Sequence, residues 1–362
     1  MTARLQIGFI PLVDAALLVA AREEGFAEEE GLALDLVREA SWANIRDKLA
    51  VGLFDAAHML APAAIATSLG LGHVEVPLTV PVALNLNGNA ITVSRRLHAE
   101  LAGVAAGSLA DPRISAGALA GIVARRRRSG RPPLVFGTVF PFSTHSYQLR
   151  IWLAAARLSV EEDVRVVVVP PPAMARSLEQ GMLDGFCVGA PWSLIAVENG
   201  AGVLLHPGVD IVGACPEKVL ALPRRDFPDD DARMARLVRA LARASRWCAD
   251  PANRPRLAGH LAAADVLDLP ARLVERVLAG ELPLGEGPPQ PVADYLRLDP
   301  GVLRPMLAHA AFLHAQMVAA GQVVASGRDA EALSRIYRPD LFDAAVQDLV
   351  AASDPPAPMP LV

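Results

Sequence analysis

An α/β protein of two lobes is predicted by three features of the sequence. Strand-like and helix-like stretches alternate from residue 4 to residue 222, they fall into two successive blocks, and beyond Asp229 the pattern turns helical. Alternation of this kind argues for largely parallel sheets flanked by helices. The chain has 362 residues, of which 52% are hydrophobic and 20% charged, so it can bury large cores.

The elements follow in order. Leu5, Ile7 and Phe9 alternate in a strand over 4–10, and an apolar helix follows Asp14 over 15–24 and ends near Gly25. A second strand covers 32–37. Trp42, Ile45 and Leu49 share a helical face, with Ser41 placed to cap it. A strand over 55–60, a short helix over 62–69 and a longer extended run over 74–86 complete the first block. Ahead of the second block, Arg125–Arg128 closes an apolar stretch over 117–124, either as a solvated helix end, where cations are favoured, or as a partner-docking patch. A strand over 134–138, a helix over 143–158 and a valine-rich strand over 164–169 follow. Met174, Leu178 and Met182 give the next helix its face. A strand over 184–188, a helix over 191–198 and short strands over 203–205 and 219–222 end the block. Helices are expected around 237–248, 270–278 and 302–320, and the proline-rich end, 353–362, is expected to be disordered. In such two-lobed architectures the ligand lies between the lobes, at the carboxyl ends of strands.

Bulk composition excludes several classes. A net charge of −5 argues against direct nucleic-acid binding, and no apolar run approaches the roughly 18 residues of a membrane span. Cys187, Cys215 and Cys248 make no metal spacing and no disulfide framework, which suits a reducing compartment. The first strand follows Met1 so closely that no secretory leader is expected, and the location is read as cytoplasmic. There is no phosphate-binding glycine loop, no GxSxG and no zinc spacing, so no catalytic residue, cofactor or metal is expected.

Polar residues interrupt this apolar chain at a few places. In Leu84–Val93 (LNLNGNAITV), Asn87-Gly88 reads as a hairpin turn, which leaves Asn89 unexplained. Ser143, Thr144 and His145 stand where a strand gives way to a helix, whose free N–H groups suit an anion. His145 is either structural or a further donor. Gly189, in Cys187–Trp192, allows close approach of the backbone, although such a turn is often only a turn. Lys218 either supplies charge to an anion or is a surface lysine. Trp42 either walls a cleft or fills a core.

Read together, these stretches resemble one family. Ala40-Ser41-Trp42 with Arg46–Leu49, the Leu84–Val93 run, Thr144-His145, VPPPAM (Val169–Met174), DGFCVGAPW (Asp184–Trp192) and Pro216-Glu217-Lys218 occur in the same order in the nitrate- and bicarbonate-binding proteins of ABC uptake systems. The resemblance covers residues 4–345. It implies a type II periplasmic-binding-protein fold with an anion in the interlobe cleft. Lobe I would comprise 1–92 and 219–352, and lobe II 93–218. It also implies that the anion is held by Trp42, Asn89, His145, Gly189 and Lys218. Asn89 stands where nitrate-binding members carry glutamine, and Ala190 where the transport proteins usually carry glutamate. Glu217 offers a carboxylate, but no acidic cluster surrounds it in the sequence, so nitrate or nitrite is favoured over calcium-associated bicarbonate.

With no leader, the chain looks most like the cytoplasmic nitrate sensors of this family, of the NasS type. The resemblance then implies a regulatory role, in which nitrate or nitrite releases a NasT-type RNA-binding antiterminator of nitrate-assimilation genes. The alternative is the solute-binding component of a nitrate or bicarbonate ABC uptake system.

Overall fold

The computed structural model describes residues 2–72, 74–349 and 355–361. Two sheets form the cores of two lobes. In the first, the strand order is Leu296–Arg297, β4 (Leu78–Asn87), β10 (Pro216–Pro223), β3 (Ala56–Leu60), β1 (Ala3–Phe9) and β2 (Leu32–Arg38). In the second it is β7 (Arg165–Val168), β6 (Val135–Thr138), β8 (Gly185–Gly189), β5 (Asn89–Ser94) and β9 (Gly202–Pro207).

The sheets are mixed rather than largely parallel. β1 runs parallel to β2 and β3, and β6 to β7 and β8, but β10 is antiparallel to β3 and β4, and β5 to β8 and β9. The antiparallel members are the strands by which the chain passes between lobes. β4 leaves the first sheet and β5 enters the second one residue later, while β10 brings the chain back.

That passage corrects the reading of Asn87-Gly88 as a hairpin turn. β4 and β5 belong to different sheets, and Asn87 and Gly88, with φ of 62° and 101°, make the crossing between them. The left-handed backbone there suits asparagine and glycine for the same reason a turn would. Amides then tie the two crossings together. The Asn87 N–H donates to the Cys215 carbonyl at 2.9 Å, and the Cys215 N–H donates to Asn87 Oδ1 at 2.8 Å. Sheet membership therefore divides the lobes at Gly88 and just before Pro216, rather than at 92/93 and 218/219.

Local signals explain the helix starts nearest the cleft. The Ser41 hydroxyl accepts from the Asn44 N–H at 3.3 Å and caps helix Trp42–Ala50. The Ser143 hydroxyl accepts from the Ser146 N–H at 3.1 Å and caps helix Thr144–Ala154. Helix Pro112–Arg128 begins with an Asp111 cap and a first-turn proline, and ends on the four arginines. No helix among the described residues is long and apolar enough to cross a membrane.

The expected disordered tail is corrected for residues 355–361. The Leu361 N–H donates to the Ile211 carbonyl at 2.7 Å and the Gly213 N–H to the Met359 carbonyl at 2.9 Å, while Leu361 packs on the core of lobe II. Prolines lack an N–H donor but keep a carbonyl acceptor, and that of Pro356 lies 2.9 Å from His309 Nε2. Residues 353, 354 and 362 lie outside the described residues.

Candidate anion site between the lobes

Both lobes bring buried polar side chains together between the sheets. From lobe I come Lys218 and Glu217 at the start of β10, Asp14 in the turn after β1, His58 in β3 and Trp42 at the first turn of its helix. From lobe II come Asn89 at the start of β5, Thr144, His145 and Gln148 on one helix, and Gly189 at the end of β8. Lys218, His145 and Asn89 are all 0% exposed, so the surface reading of Lys218 does not hold.

Adjacent strand residues normally point to opposite faces, yet Glu217 and Lys218 both reach this space. The register of β10 against β4 slips on either side of Lys218, and such a bulge re-aims side chains. Asn85 Oδ1 accepts from the Lys218 N–H at 3.0 Å and satisfies the displaced backbone. On the other lobe, Ser143 takes the capping role, which frees the Thr144 hydroxyl to donate to Glu217 Oε2.

Charge is concentrated on one lysine. Lys218 Nζ lies 2.8 Å from Asp14 Oδ2 and 2.6 Å from Glu217 Oε1, and 5.4 Å from the centroid of the Trp42 ring. His58 Nε2 stands 3.0 Å from Asp14 Oδ1, and its ring centroid 5.7 Å from that of Trp42. Asn89 Nδ2 donates to Glu217 Oε2 at 2.9 Å and to Gln148 Oε1 at 3.2 Å. His145 Nδ1 is 3.5 Å from Glu217 Oε1. A methyl group at Gly189 would stand 3.5 Å from Asn89 Oδ1 and 3.6 Å from His145 Nε2, so that backbone faces the same space.

Burial and neighbouring charge set the protonation states in opposite directions. Burial disfavours the Lys218 ammonium, but Asp14 and Glu217 outweigh it and raise its pKa. Burial pushes the Asp14 carboxyl up, yet Lys218 and His58 pull it well below the usual carboxylate range. Glu217 ends above its ordinary value, because burial exceeds the opposing pull of Lys218. Burial holds His145 well below the usual imidazole value and Lys218 lowers it further, while burial lowers His58 against the pull of Asp14. Cys187 is raised well above the usual thiol range by burial and then by Glu217, so it offers no thiolate nucleophile.

Several of these atoms lack a hydrogen-bond partner although they are buried: Trp42 Nε1, Asn89 Oδ1, both ring nitrogens of His145 and Nδ1 of His58. Buried polar groups are normally paired, so unpaired ones gathered in one place make a candidate ligand site. Trp42, Asn89, His145, Gly189 and Lys218 thus lie around one space. Sequence reasoning missed Asp14 and His58, which join Lys218 from elsewhere in lobe I, and with Asp14 it missed the second carboxylate near Glu217. The available signal was a lone charged or imidazole side chain in runs that are otherwise apolar, LVDAALL and AAHML. Ala190, where a glutamate was expected in a transport protein, packs into the apolar core of lobe I.

Comparison with known proteins fixes the family. Residues 1–262 match the family described as NMT1-like. The chain belongs to that family. It is 29% identical over 364 residues to the nitrate/nitrite binding protein NrtA of Synechococcus elongatus, covering 97% of this chain and 79% of that protein. It is 36% identical over 262 residues to the nitrate import ATP-binding protein NrtC of Synechocystis, covering 71% of this chain and 37% of that one. It is 31% identical over 351 residues to the bicarbonate transport ATP-binding protein CmpC of Synechococcus elongatus, covering 95% and 49%. This chain therefore spans half or less of the length of those two ATP-binding relatives. The crystal structure of the periplasmic nitrate-binding protein NrtA from Synechocystis superposes with a TM-score of 0.87 at 25% identity, over 96% of this chain and 89% of that one. The periplasmic-binding-protein fold and the resemblance to nitrate- and bicarbonate-binding proteins of ABC transporters both hold.

Proposed function

We propose that this chain is the anion-binding component of an uptake system of the NrtA kind, closing its two lobes on nitrate or nitrite. The observation that carries this reading is the burial of Lys218, His145, Asn89 and Trp42 together between the lobes, with the Trp42 indole N–H and both His145 ring nitrogens unpaired. Nitrate and nitrite are planar, singly charged and unprotonated at neutral pH. Each is served by one fixed cation and a few modest donors, which Lys218, the Asn89 amide, the Trp42 indole N–H and the His145 imidazole N–H supply. The carboxylates on Lys218 keep the ammonium charged in a dry site and hold it still. No step of bond making is assigned, and the chain is read as a binding protein rather than an enzyme.

Transport is placed ahead of the regulatory role because the named relatives are a nitrate/nitrite binding protein and parts of nitrate and bicarbonate transport systems. Release of a NasT-type antiterminator stays the second reading. Calorimetry of the dialysed protein against nitrate, nitrite, bicarbonate with calcium, and sulfate tests the ligand class. Saturable binding of nitrate or nitrite and silence toward sulfate is expected. Calcium-dependent bicarbonate binding with no response to nitrate would move the chain to the bicarbonate branch.

A further inference from the structure

We infer that the Glu217 carboxylate is a tethered competitor for the anion, bound to donors that the anion needs, and that the anion enters by displacing it with uptake of one proton. The inference rests on the anion-binding reading and concerns how that site is regulated.

A carboxylate resembles nitrate and nitrite where recognition happens. It is planar, carries one negative charge spread over its oxygens, and accepts in the same plane. The Glu217 carboxylate bonds two of the groups expected to hold the ligand, Lys218 and Asn89, and stands beside a third, His145. Lys218 Nζ stands 2.6 Å from Oε1 and His145 Nδ1 3.5 Å from the same oxygen, while Asn89 Nδ2 donates to Oε2 at 2.9 Å and the Thr144 hydroxyl also donates to Oε2. Three of these four, Lys218, His145 and Asn89, are the side chains that family resemblance assigns to the anion.

Charge counting gives the second half of the argument. With both imidazoles neutral, Asp14 and Lys218 cancel, and ionised Glu217 leaves the space with one negative charge. A second anion beside it, out of water, has no further cation to meet. Every titratable group facing Glu217 bears on which one takes the proton. Lys218 on its own strand stays charged, and Asp14 beyond it is held ionised by Lys218 and His58. Cys187 on β8 and Cys215 just before β10 are both raised well above the usual thiol range and stay neutral, as does the raised phenol of Tyr295. His145 is held neutral by burial and by Lys218. Glu217, already raised and about to lose its donors to the incoming anion, takes the proton.

The test is calorimetry of nitrate binding in buffers of different ionisation enthalpy, at about pH 6 and about pH 8, with the parent protein and with Glu217→Gln. The parent is expected to take up protons on binding and to bind tighter at the lower pH. Glu217→Gln is expected to bind at least about tenfold tighter than the parent at the higher pH, with the uptake gone. Equal or weaker binding by Glu217→Gln, or uptake that persists in it, would overturn the inference and give the proton to the imidazole. If Glu217→Gln does not fold, His145→Gln decides: uptake that survives assigns the proton to Glu217, and uptake that vanishes assigns it to His145. Parent binding with no proton linkage overturns this inference and leaves the anion-binding reading standing. Absence of nitrate, nitrite and bicarbonate binding by both proteins overturns the two together.

Discussion

His145 in the cleft and His206 in lobe II are both 0% exposed, and burial lowers both imidazoles below their usual value, His206 to about 3. Their surroundings differ. His206 Nε2 shares a 2.6 Å hydrogen bond with the Ser115 hydroxyl, which also accepts from the Trp152 indole N–H at 3.0 Å, inside the apolar core of lobe II. His145 has no hydrogen bond on either ring nitrogen and faces Glu217 and Lys218. One is a neutral network with most of its polar atoms paired. The other is a charged network with several donors idle. A buried histidine alone says little about function; the unpaired ring nitrogens of His145 and the charged groups around it are what set it apart from His206.

The largest expected effect breaks the charged network. Lys218→Met should abolish nitrate binding and cost about 3–5 kcal/mol of stability, because Asp14 and Glu217 are left buried without their cation. Calorimetry and urea unfolding read the two losses separately. Parent-like nitrate affinity in this variant would remove the site from the cleft.

The matching change in lobe II is smaller and of a different kind. Ser115→Ala leaves the Trp152 N–H and His206 Nε2 without their partner, which should cost about 1–3 kcal/mol in urea unfolding. Nitrate affinity should not move. If it falls as far as stability does, the two networks are coupled and the contrast drawn between them fails.

Acid should separate the two regions again. Folded His206 stays neutral down to about pH 3, whereas its unfolded form binds a proton below the ordinary imidazole value of 6.5. The unfolded state then holds more protons, so stability is lost as pH falls below 6.5, at a limiting slope of about 1.4 kcal/mol per pH unit for this one group. Glu217 acts in the opposite sense. Its folded value is raised, so above the ordinary carboxyl value of 4.5 the folded state holds the extra proton and gains stability as pH falls through that raised value. Urea unfolding at about pH 7 and about pH 5 should show a shallower loss in His206→Leu than in the parent. An unchanged slope would mean that His206 is protonated in the folded core.

The comparison also explains what could be read from sequence. Period-2 and helical spacing placed the elements of both lobes, because apolar faces decide burial. The grouping of Trp42, Asn89, His145, Gly189 and Lys218 was legible through motif order. Asp14 and His58 were not, because their link to Lys218 spans lobe I and no local spacing encodes it. The Asn87-Gly88 hairpin reading failed for a related reason. Turn chemistry specifies the backbone angles at two residues, and those are as expected, but it does not say which sheet the next strand joins.

The smallest effect concerns the rim that seals the charged network. Gln322, which follows helix Leu307–Ala319, accepts from the Tyr147 hydroxyl at 2.8 Å through Oε1 and donates from Nε2 to the Pro141 carbonyl at 2.9 Å. It thus ties the C-terminal helices to the cleft side of lobe II. Arg46 stacks 5.6 Å from the Phe140 ring centroid beside it, and the Trp192 indole donates to the Pro11 carbonyl at 3.1 Å at another point of contact between the lobes. With those contacts still present, Gln322→Ala should weaken nitrate binding by about 0.5–1.5 kcal/mol, a several-fold change. If these bonds form only on closure, the loss should lie in faster release rather than slower capture. Stopped-flow tryptophan fluorescence separates the two rates. Slower capture with unchanged release would mean that Gln322 shapes the open protein instead of latching the closed one.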